Sequence, residues 1–588
     1  MPLLKTSVIQ LDVRAGQPEK NVDNALKFIE TAKELGANLV VLPEMCVGGY
    51  LVSDKWLDKD FLGSLEKSNK KLIEASHGIV LIYGNVFCDY SSVGRDGRAA
   101  KYNCAYICEN GILNSIYKKR LLPNYRIFDE KRYFLSGDSP LKVEQNGIVK
   151  SELLNLTLGV EICEDLWWED YGVNVSGELV QAGAELIVNI SASPWTAGKN
   201  YARDNRVKNL KKILGEKMPP IIYANCCGCQ NTGKNIIVFD GDSTFYNSEG
   251  SREPQGLDPF QEGILLCDPS CVSDKKQTAE PDNDEVLKMK KLAIQRAYKG
   301  IDDILGFAPR YVFGLSGGID SSLACALAVL ALGKDRVIGY NFPSEHNSDK
   351  TKNSAKKLAE NLGIEYNIVP IGGIQKEVEK SLLGAKSQLP PLVKENVQAK
   401  IRYTDLLSNF AQIHNGVMTC NGNKLEIALG YCTLYGDTGG VFAPLGDCLK
   451  TDIFELALKI PEIPRELIPN ENGIFEEWQI YPSAELASNQ RDPMKFGYHD
   501  KLLEKVMSYK RLSFSQVMEL YQNDELFSHL GVSDYLVHLY NLKDPAIFND
   551  DLQWFFKKLN SSVFKRVQMP PILMMTRSAF GNDFRESI

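Results

Sequence analysis

Seven residues, Ser316-Gly-Gly-Ile-Asp-Ser-Ser322, stand directly behind the apolar run Tyr311-Val-Phe-Gly-Leu315 and directly before Leu323-Ala-Cys-Ala-Leu-Ala-Val-Leu-Ala-Leu332. The order predicts strand, glycine loop, helix. Two glycines let the backbone turn sharply and approach an anion, and the free N–H groups opening the helix point at the same spot. A phosphate or pyrophosphate is expected there. The loop lacks a GK[ST] ending, so no lysine within it holds a terminal phosphate, which argues against ordinary kinase or ATPase chemistry. A bare pair of glycines also fits a plain strand-to-helix turn.

Three strings in the N-terminal half carry a different chemistry: Leu42-Pro-Glu44, Lys119 ahead of Leu122-Pro-Asn-Tyr125, and Gly159-Val-Glu-Ile-Cys163-Glu-Asp-Leu-Trp167. They supply a carboxylate, an ammonium and a thiol. Amide hydrolysis through a thioester needs a nucleophile, a base that takes its proton and later activates water, and a cation for the developing oxyanion. Cys163, Glu44 and Lys119 suit those roles in that order. Each also has a structural reading: Cys163 as a core thiol closing a strand, Lys119 as part of a surface run Lys118-Lys-Arg120, Glu44 as a loop carboxylate.

A large framework must position these groups. The 588 residues exceed one ordinary core and suggest two large domains or three smaller ones. Hydrophobic residues make up 44% and charged residues 24%, as in soluble globular proteins, and no apolar run approaches the roughly 20 residues of a membrane span. No membrane partner is expected. The first residues lead straight into the strand-like Ser7-Val-Ile-Gln-Leu-Asp-Val13 without a signal-peptide pattern, so a cytoplasmic location is expected. A net charge of −8 and a pI near 5.6 argue against nucleic acid as a partner. Fourteen cysteines without small-scaffold spacing read as free thiols. The one dense cluster, Cys226-Cys227-Gly-Cys229, follows the apolar Pro220-Ile-Ile-Tyr-Ala224 and reads as core more than as a metal site.

From residue 1 to about 270, strand-like runs such as Asn38–Leu42, Ile79–Tyr83, Leu156–Val160 and Glu185–Ile190 alternate with amphipathic segments, an α/β pattern. Asn110-Gly111 between two apolar stretches predicts a hairpin. The polar stretch 268–284 is expected to be an exposed connector. The expected division is therefore a domain over 1–270, a linker over 271–286 and a domain over 287–588. In the latter, strand candidates Tyr311–Leu315, Arg336–Phe342 and Glu365–Ile371 alternate with helical patterns. That rhythm predicts a doubly wound parallel sheet with its ligand at the carboxyl ends of the strands.

SGGxDS resembles the signature of the PP-loop ATP pyrophosphatase superfamily, which cleaves ATP between its α and β phosphates and activates a substrate as an adenylate. Glu44, Lys119 and Cys163 resemble the triad of the carbon–nitrogen hydrolase (nitrilase) superfamily, and the spacing K-x-x-L-P selects Lys119 over Lys118. Leu122-Pro-Asn-Tyr125 and Ser191-Ala-Ser-Pro-Trp195 are similar to its glutaminase branch, which implies that Tyr125, Ser193 and Lys199 contact glutamine. This chain departs from that branch around Cys226–Lys234, where a shorter glycine-containing turn is expected.

Joined on one chain, with Glu395-Asn-Val-Gln-Ala-Lys-Ile-Arg402, Asn421-Gly-Asn-Lys-Leu-Glu426 through Gly-Tyr431-Cys-Thr433-Leu-Tyr-Gly-Asp437, and Phe564-Lys-Arg566, the halves resemble the glutamine-dependent NAD⁺ synthetase family. The resemblance implies a nitrilase-like α-β-β-α sandwich followed by a PP-loop (adenine nucleotide alpha hydrolase-like) domain. It implies deamido-NAD⁺, ATP and L-glutamine as substrates, Mg²⁺ as the accompanying ion, and a homo-oligomer. It places ATP on Leu315, Ser316, Gly317, Gly318, Ile319, Asp320, Ser321, Ser322 and Asn421, the last standing where threonine is usual. Deamido-NAD⁺ falls to Asn396, Glu426, Tyr431, Cys432, Thr433, Leu434 and Lys565, and Mg²⁺ to Asp320 and Glu426. The PP-loop alone leaves a second reading open, an adenylating enzyme acting on another carboxylate or on tRNA.

Overall fold

The computed structural model describes residues 4–94, 97–137, 147–252, 256–268, 280–384, 388–470, 475–483, 485–487 and 492–587. The chain divides into two compact units, one of residues 1–232 with 237–296 and one of 233–236 with 297–588.

The strands of the first unit are β1 (Thr6–Gln10), β2 (Leu39–Val41), β3 (Val80–Val93), β4 (Ala99–Glu109), β5 (Ile112–Lys118), β6 (Ile148–Ser151), β7 (Leu156–Ile162), β8 (Leu186–Ser191), β9 (Ile221–Asn225), β10 (Cys227–Asn231), β11 (Asn235–Asp240), β12 (Thr244–Tyr246) and β13 (Gly263–Cys267). One sheet has the order β13-β1-β2-β3-β4-β5 and a second the order β12-β9-β8-β7-β6. Their inner faces meet: Val41, Val80, Ile82 and Ile107 share a core with Val160, Ile162, Val188 and Ala224. Helices α1 (Pro18–Glu34) and α2 (Lys59–Ala75) pack together, with α2 against β3. After the short α3 (Glu130–Tyr133), helices α4 (Val175–Gln181) and α5 (Lys199–Leu214) cover the outer face of the second sheet through Val175, Leu179, Val207 and Leu210. The result is the expected α-β-β-α sandwich.

Strands β7, β8 and β9 run parallel and lie inside their sheet, which is why they read as nearly continuous apolar runs. At the predicted hairpin, Asn110 and Gly111 have φ of 51° and 84°, the two left-handed positions of a type I′ turn. The Cys226–Lys234 stretch differs from the expected turn: Cys227–Asn231 is strand β10, with Gly228 at φ 121° closing on Asp12. Most of the expected linker, 271–279, lies outside the described residues. Helix α6 (Asn283–Leu305) begins within the stretch read as linker, its first turn carrying Asp284 and Glu285, where acids favour a helix start.

In the second unit β14 (Arg310–Gly314), β15 (Val337–Asn341), β16 (Glu365–Ile368) and β17 (Gly416–Val417) form a sheet of order β16-β15-β14-β17, parallel throughout. Helices α7 (Ile319–Leu332), α8 (Asp349–Leu362), α9 (Gly372–Leu383), α10 (Pro391–Lys400), α11 (Ser408–Ile413), α12 (Lys424–Leu429) and α13 (Lys450–Leu458) follow the strands or flank them. Helix α7 is buried almost all round, as its unbroken apolar sequence requires. The strand order reverses between β14 and β17, so the loops leaving these two strands open a crevice at the carboxyl edge. Leu502, Phe548, Leu552 and Phe555 share a helical core with Leu425, Ile427 and Leu429 of α12. Among the described residues no helix is long and apolar enough to cross a membrane.

Candidate functional sites

In the first unit Glu44 follows β2, Lys119 follows β5 and Cys163 follows β7. Lys119 is not the surface lysine its sequence neighbours suggest; it is fully buried, while Lys118 lies over the Tyr102 ring and Arg120 pairs with Glu178. The Lys119 Nζ donates to Glu44 Oε1 at 2.8 Å and to Glu130 Oε1 at 2.6 Å. Glu44 also accepts from Asn103 Nδ2 at 2.6 Å and from the Ala192 N–H at 2.7 Å. Tyr50 donates to Glu130 at 2.5 Å. Burial works against the Lys119 charge, but Glu130 and Glu44 more than offset it and hold its pKa well above the ordinary lysine value. Burial raises Glu130 to about 7, against the pull of Lys119 and with the push of Glu44.

The backbone is shaped for this convergence. A Cβ on Gly84 of β3 would lie 2.3 Å from the Met45 nitrogen, so only glycine lets β3 pass the Glu44 turn. Cys163 has φ 45° and Met45 φ 48°, left-handed conformations that cost about 1–3 kcal/mol in non-glycine residues and turn the thiol and the carboxylate out of their strands. Burial raises the Cys163 thiol well above its ordinary value; Glu44 adds to this and Lys119 opposes it. The resting group is therefore a thiol, and proton transfer to a base must accompany its attack.

Tyr125, expected at the substrate, donates to Glu164 at 3.1 Å, and Tyr171 does so at 2.8 Å. Glu164 is a buried carboxylate beside the nucleophile, suited to a substrate ammonium. The Ser193 N–H donates to Asn225, and the Ser193 carbonyl accepts from Lys199 Nζ at 3.3 Å, with Asp240 the stronger partner of Lys199 at 2.8 Å.

Glu161, two residues before the thiol, is buried and accepts from Ser176 Oγ at 2.7 Å and Asn189 Nδ2 at 3.0 Å. Burial raises it to about 7, with those donors opposing. A folded pKa above the unfolded carboxylate value means that the folded state gains a proton, so stability present near pH 4.5 is lost as pH rises through about 7. Glu161→Gln is expected to melt higher than the wild type at pH 8, by on the order of 2–3 kcal/mol, with no gain at pH 4.5. Calorimetric melts at both pH values check this; equal gains would mean that the charge is not the cause.

In the second unit the loop after β14 turns at Gly317, φ 82°, where a Cβ would meet the Thr351 carbonyl oxygen at 2.0 Å. Leu315 is buried and Ser316 exposed. Ser316 Oγ accepts from the Gly318 N–H at 3.1 Å and lies 3.1 Å from Ser321 Oγ; Ser322 Oγ donates to the Gly318 carbonyl at 2.7 Å. Ile319 and Asp320 open α7. The loop after β17 brings Asn421 and Glu426. Asn423 caps α12, accepting from the Glu426 N–H at 3.0 Å, and its Nδ2 donates to Asp320 Oδ1 at 2.9 Å. Lys450, opening α13 and nearly fully buried, donates to Asp320 Oδ2 at 2.5 Å and to Glu426 Oε1 at 3.4 Å. Burial and then the Asp320 charge raise Glu426 to about 8, with Lys450 opposing. Asn421 accepts from Thr419 at 2.8 Å, and its Nδ2 is buried without a partner, a donor suited to an acceptor on a ligand.

Of the residues expected around the dinucleotide, Tyr431, Cys432, Thr433 and Leu434 lie on the 430–438 loop, and Asn396 and Lys565 are hydrogen-bonded to it. Thr433 Oγ1 donates to Asn396 at 2.9 Å and its N–H to Asp437 at 2.7 Å. Lys565 Nζ donates to the Gly430 and Cys432 carbonyls at 2.7 and 2.6 Å, anchoring the loop. Tyr431 hydrogen-bonds Asp492, and Leu434 is half-buried. Burial raises Asp437 to about 6.

Two carboxylates, Asp320 and Glu426, thus converge with an open amide nearby. Among the described residues no cluster of three His, Cys, Asp or Glu is placed to hold a metal. Lys450 Nζ takes one oxygen of each carboxylate, and the pair has the donor chemistry of a Mg²⁺ site, which uses one or two carboxylates and completes its shell with phosphate oxygens and water.

A thiol centre in a two-sheet sandwich and a glycine loop at the switch point of a parallel sheet define a two-domain enzyme. The carbon–nitrogen hydrolase profile matches residues 5–269 and the NAD synthase profile residues 295–535. A glutamine-dependent NAD(+) synthetase of Synechocystis sp. is 31% identical, covering 99% of this chain and 98% of its own. One from Xanthomonas campestris is 30% identical over 100% and 97%. The solved structure of glutamine-dependent NAD+ synthetase from Acinetobacter baumannii in complex with ADP is 25% identical, covers 100% of this chain and 98% of its own, and has a TM-score of 0.70. The chain belongs to the glutamine-dependent NAD(+) synthetase family.

Proposed function

We propose that the first unit hydrolyses L-glutamine through Cys163 and that the second uses the ammonia to amidate deamido-NAD⁺. Glu44 takes the thiol proton as Cys163 attacks the side-chain amide, and Lys119 stabilises the oxyanion. Glu44 then returns the proton to the leaving ammonia and activates the water that frees glutamate. Glu130 and Tyr50 keep Lys119 charged and in place. Tyr125, Glu164, Ser193 and Lys199 surround the amino-acid end of the substrate.

In the second unit the Ser316–Ser322 loop, the α7 N-terminus and Asn421 hold ATP. Asn396, Tyr431, Cys432, Thr433, Leu434 and Lys565 define the deamido-NAD⁺ side. Asp320 and Glu426 hold Mg²⁺, which when bound neutralises charge on the departing pyrophosphate. The nicotinate carboxylate attacks the α-phosphorus of ATP, pyrophosphate leaves, and ammonia displaces AMP to give NAD⁺. The reading also includes domains over 1–270 and 287–588, a cytoplasmic homo-oligomer, and no nucleic-acid partner; the acidic charge and the free thiols among the described cysteines support the last two points of location and partner.

The observation that carries the reading is the pair of complete constellations on one chain: Lys119 between two buried glutamates beside a strained cysteine, and Asp320 tied to Asn423 and Lys450 beside a glycine loop. Incubation with deamido-NAD⁺, ATP, Mg²⁺ and either glutamine or ammonium tests it. NAD⁺, AMP and pyrophosphate are expected in equal amounts, with glutamate only when glutamine is supplied. Appearance of ADP in place of AMP, or no NAD⁺ from either nitrogen source, overturns it.

A further inference from the structure

The cation and the nucleophile of the first unit follow strands of different sheets: Lys119 comes after β5 of the six-stranded sheet, Cys163 after β7 of the five-stranded one. The ladder bonds within either sheet therefore do not set the distance between them. One side chain that takes no part in the reaction spans the gap. Asp165 is fully buried; its Oδ1 accepts the N–H groups of Arg120 at 3.2 Å and Leu121 at 2.8 Å, and its Oδ2 accepts the Tyr117 hydroxyl at 2.8 Å and the Ile162 N–H at 3.0 Å. Three of these donors bracket Lys119, from two positions before it to two after. The fourth belongs to the residue that precedes Cys163.

A carboxylate offers about four lone-pair sites, and here four donors fill them. None of the four is a cation, so the group contributes direction to the chain around it. The bond from Ile162 matters most for the thiol. Cys163 has φ 45°, and a left-handed residue other than glycine persists only where its surroundings over-determine it. The Ile162 N–H donating to Asp165 closes the turn around Cys163, and the Trp167 N–H donating to the Glu164 carbonyl at 2.7 Å closes the next one. A single carboxylate thus holds the strained nucleophile and the chain on both sides of the oxyanion cation.

We infer that Asp165 is a positioning residue for glutamine hydrolysis, setting the Cys163 thiol and the Lys119 ammonium at the separation that attack on the amide requires. The inference rests on Cys163 as the nucleophile and Lys119 as the oxyanion partner. Asp165 acts through those two groups and not on substrate. Reacting groups held in attack geometry gain rate without gaining substrate affinity, so the effect belongs mainly in kcat. Asp165→Asn isolates it, because the amide has the same shape but accepts at one atom only. With the amide oxygen toward Arg120 and Leu121, the NH₂ faces the Ile162 N–H, donor against donor, and the bond that closes the Cys163 turn is lost. Turning the amide over sets two backbone donors against it in place of one, so the first arrangement is the one adopted.

Steady-state glutaminase kinetics of the full-length protein test this, together with the rate at which iodoacetamide alkylates Cys163, followed by mass spectrometry of the peptide that carries it. Asp165→Asn is expected to lower kcat by about tenfold to a hundredfold with glutamine KM within about threefold, and to slow alkylation of Cys163 by about fivefold or more. A role in stability alone would leave both rates unchanged in the folded protein. Tyr117→Phe keeps the ring and removes one donor of the four; it is expected to lower kcat by about threefold to tenfold, and it carries the test if Asp165→Asn does not fold. Calorimetric melts and ammonium-supported NAD⁺ formation show which variants are folded. The proposal is overturned if Asp165→Asn, or Tyr117→Phe in its place, folds and keeps kcat within about twofold, or if KM takes the loss. A loss as complete as that of Cys163→Ala overturns it as well, since Asp165 would then belong among the reacting groups. Cys163→Ala separates the two levels: turnover of glutamine by that variant sinks the nucleophile assignment itself, whereas its inactivity alongside normal kcat in Asp165→Asn sinks only the positioning role.

Discussion

Cys163→Ala is expected to reduce glutamine-supported NAD⁺ formation by at least about a thousandfold while ammonium-supported formation stays within about twofold. The first half of the expectation follows from what remains at the site. Glu44 and Lys119 still form their ion pair, but neither is a nucleophile toward an amide, and a base with a cation alone forgoes the thioester route. Cys226 does not substitute: it is fully buried, and burial raises its thiol well above the ordinary value. The second half follows from the contents of the other site. The glycine loop, Asp320, Asn423, Glu426 and Lys450 all belong to the unit that contains residues 297–588, so ammonia from solution meets an intact set of groups. Lys119→Met would be a poorer test of chemistry. It would strip the partner from two buried carboxylates, and an uncompensated buried charge costs about 3–5 kcal/mol, so lost activity would report lost folding. Product assays of AMP, NAD⁺ and glutamate with each nitrogen source decide the matter. Loss of both activities in a folded Cys163→Ala protein would mean that the two reactions are not carried by separable sites.

How far these sites were legible in the sequence depended on whether local chemistry or long-range pairing placed each group. The loop at Ser316–Ser322 could be read because glycine positions, a preceding apolar run and a following apolar helix all act within about twenty residues. The Asn110-Gly111 hairpin was legible for the same reason, since both residues tolerate left-handed backbone. The strand before Cys163 stood out as apolar because it is inside a sheet with both faces covered. The apolar pattern marks β3 only to Tyr83, whereas the strand runs to Val93, because Gly84, Asn85, Asp89, Ser91 and Ser92 are poor strand formers; pairing with β4 overrides their preference. Glu130 and Lys450 gave no signal, and Asn423 and Asp437 stood only inside longer strings with no role of their own. A buried glutamate that clamps a lysine eleven positions upstream looks in sequence like any charged residue of a loop. Lys450 is linked to Asp320 across 130 positions, a pairing only the folded sheet creates. Burial of Lys119 was equally hidden, because Lys118 and Arg120 beside it point elsewhere and give the run a surface appearance.

Gly317→Ala is expected to lower NAD⁺ formation from ammonium by at least about a hundredfold and to abolish measurable ATP binding, with glutaminase turnover retained. Two independent penalties fall on the same atom. The backbone at Gly317 has φ 82°, and an L-residue held left-handed loses roughly 1–2 kcal/mol relative to its ordinary conformation. The added Cβ would also sit 2.0 Å from the Thr351 oxygen and 2.7 Å from its carbonyl carbon, which are backbone atoms near the start of α8. A flexible side chain would swing aside; a backbone carbonyl in a helix does not. The loop must therefore move, and its movement displaces the N–H groups and the Ser316 and Ser321 hydroxyls that face one another at 3.1 Å. Anion binding at a helix N-terminus depends on those groups pointing at one place, and a displacement of about 1 Å is enough to lose it. The neighbouring glycine provides the control. Gly318 is not left-handed, and the nearest atom to its added Cβ is the Ser316 Oγ at 3.2 Å, the end of a movable side chain. Gly318→Ala should thus be clearly milder than Gly317→Ala. Titration calorimetry with ATP and Mg²⁺, alongside NAD⁺ assays with ammonium, ranks the two variants. ATP affinity in Gly317→Ala equal to that of the wild type would remove this loop from the nucleotide site.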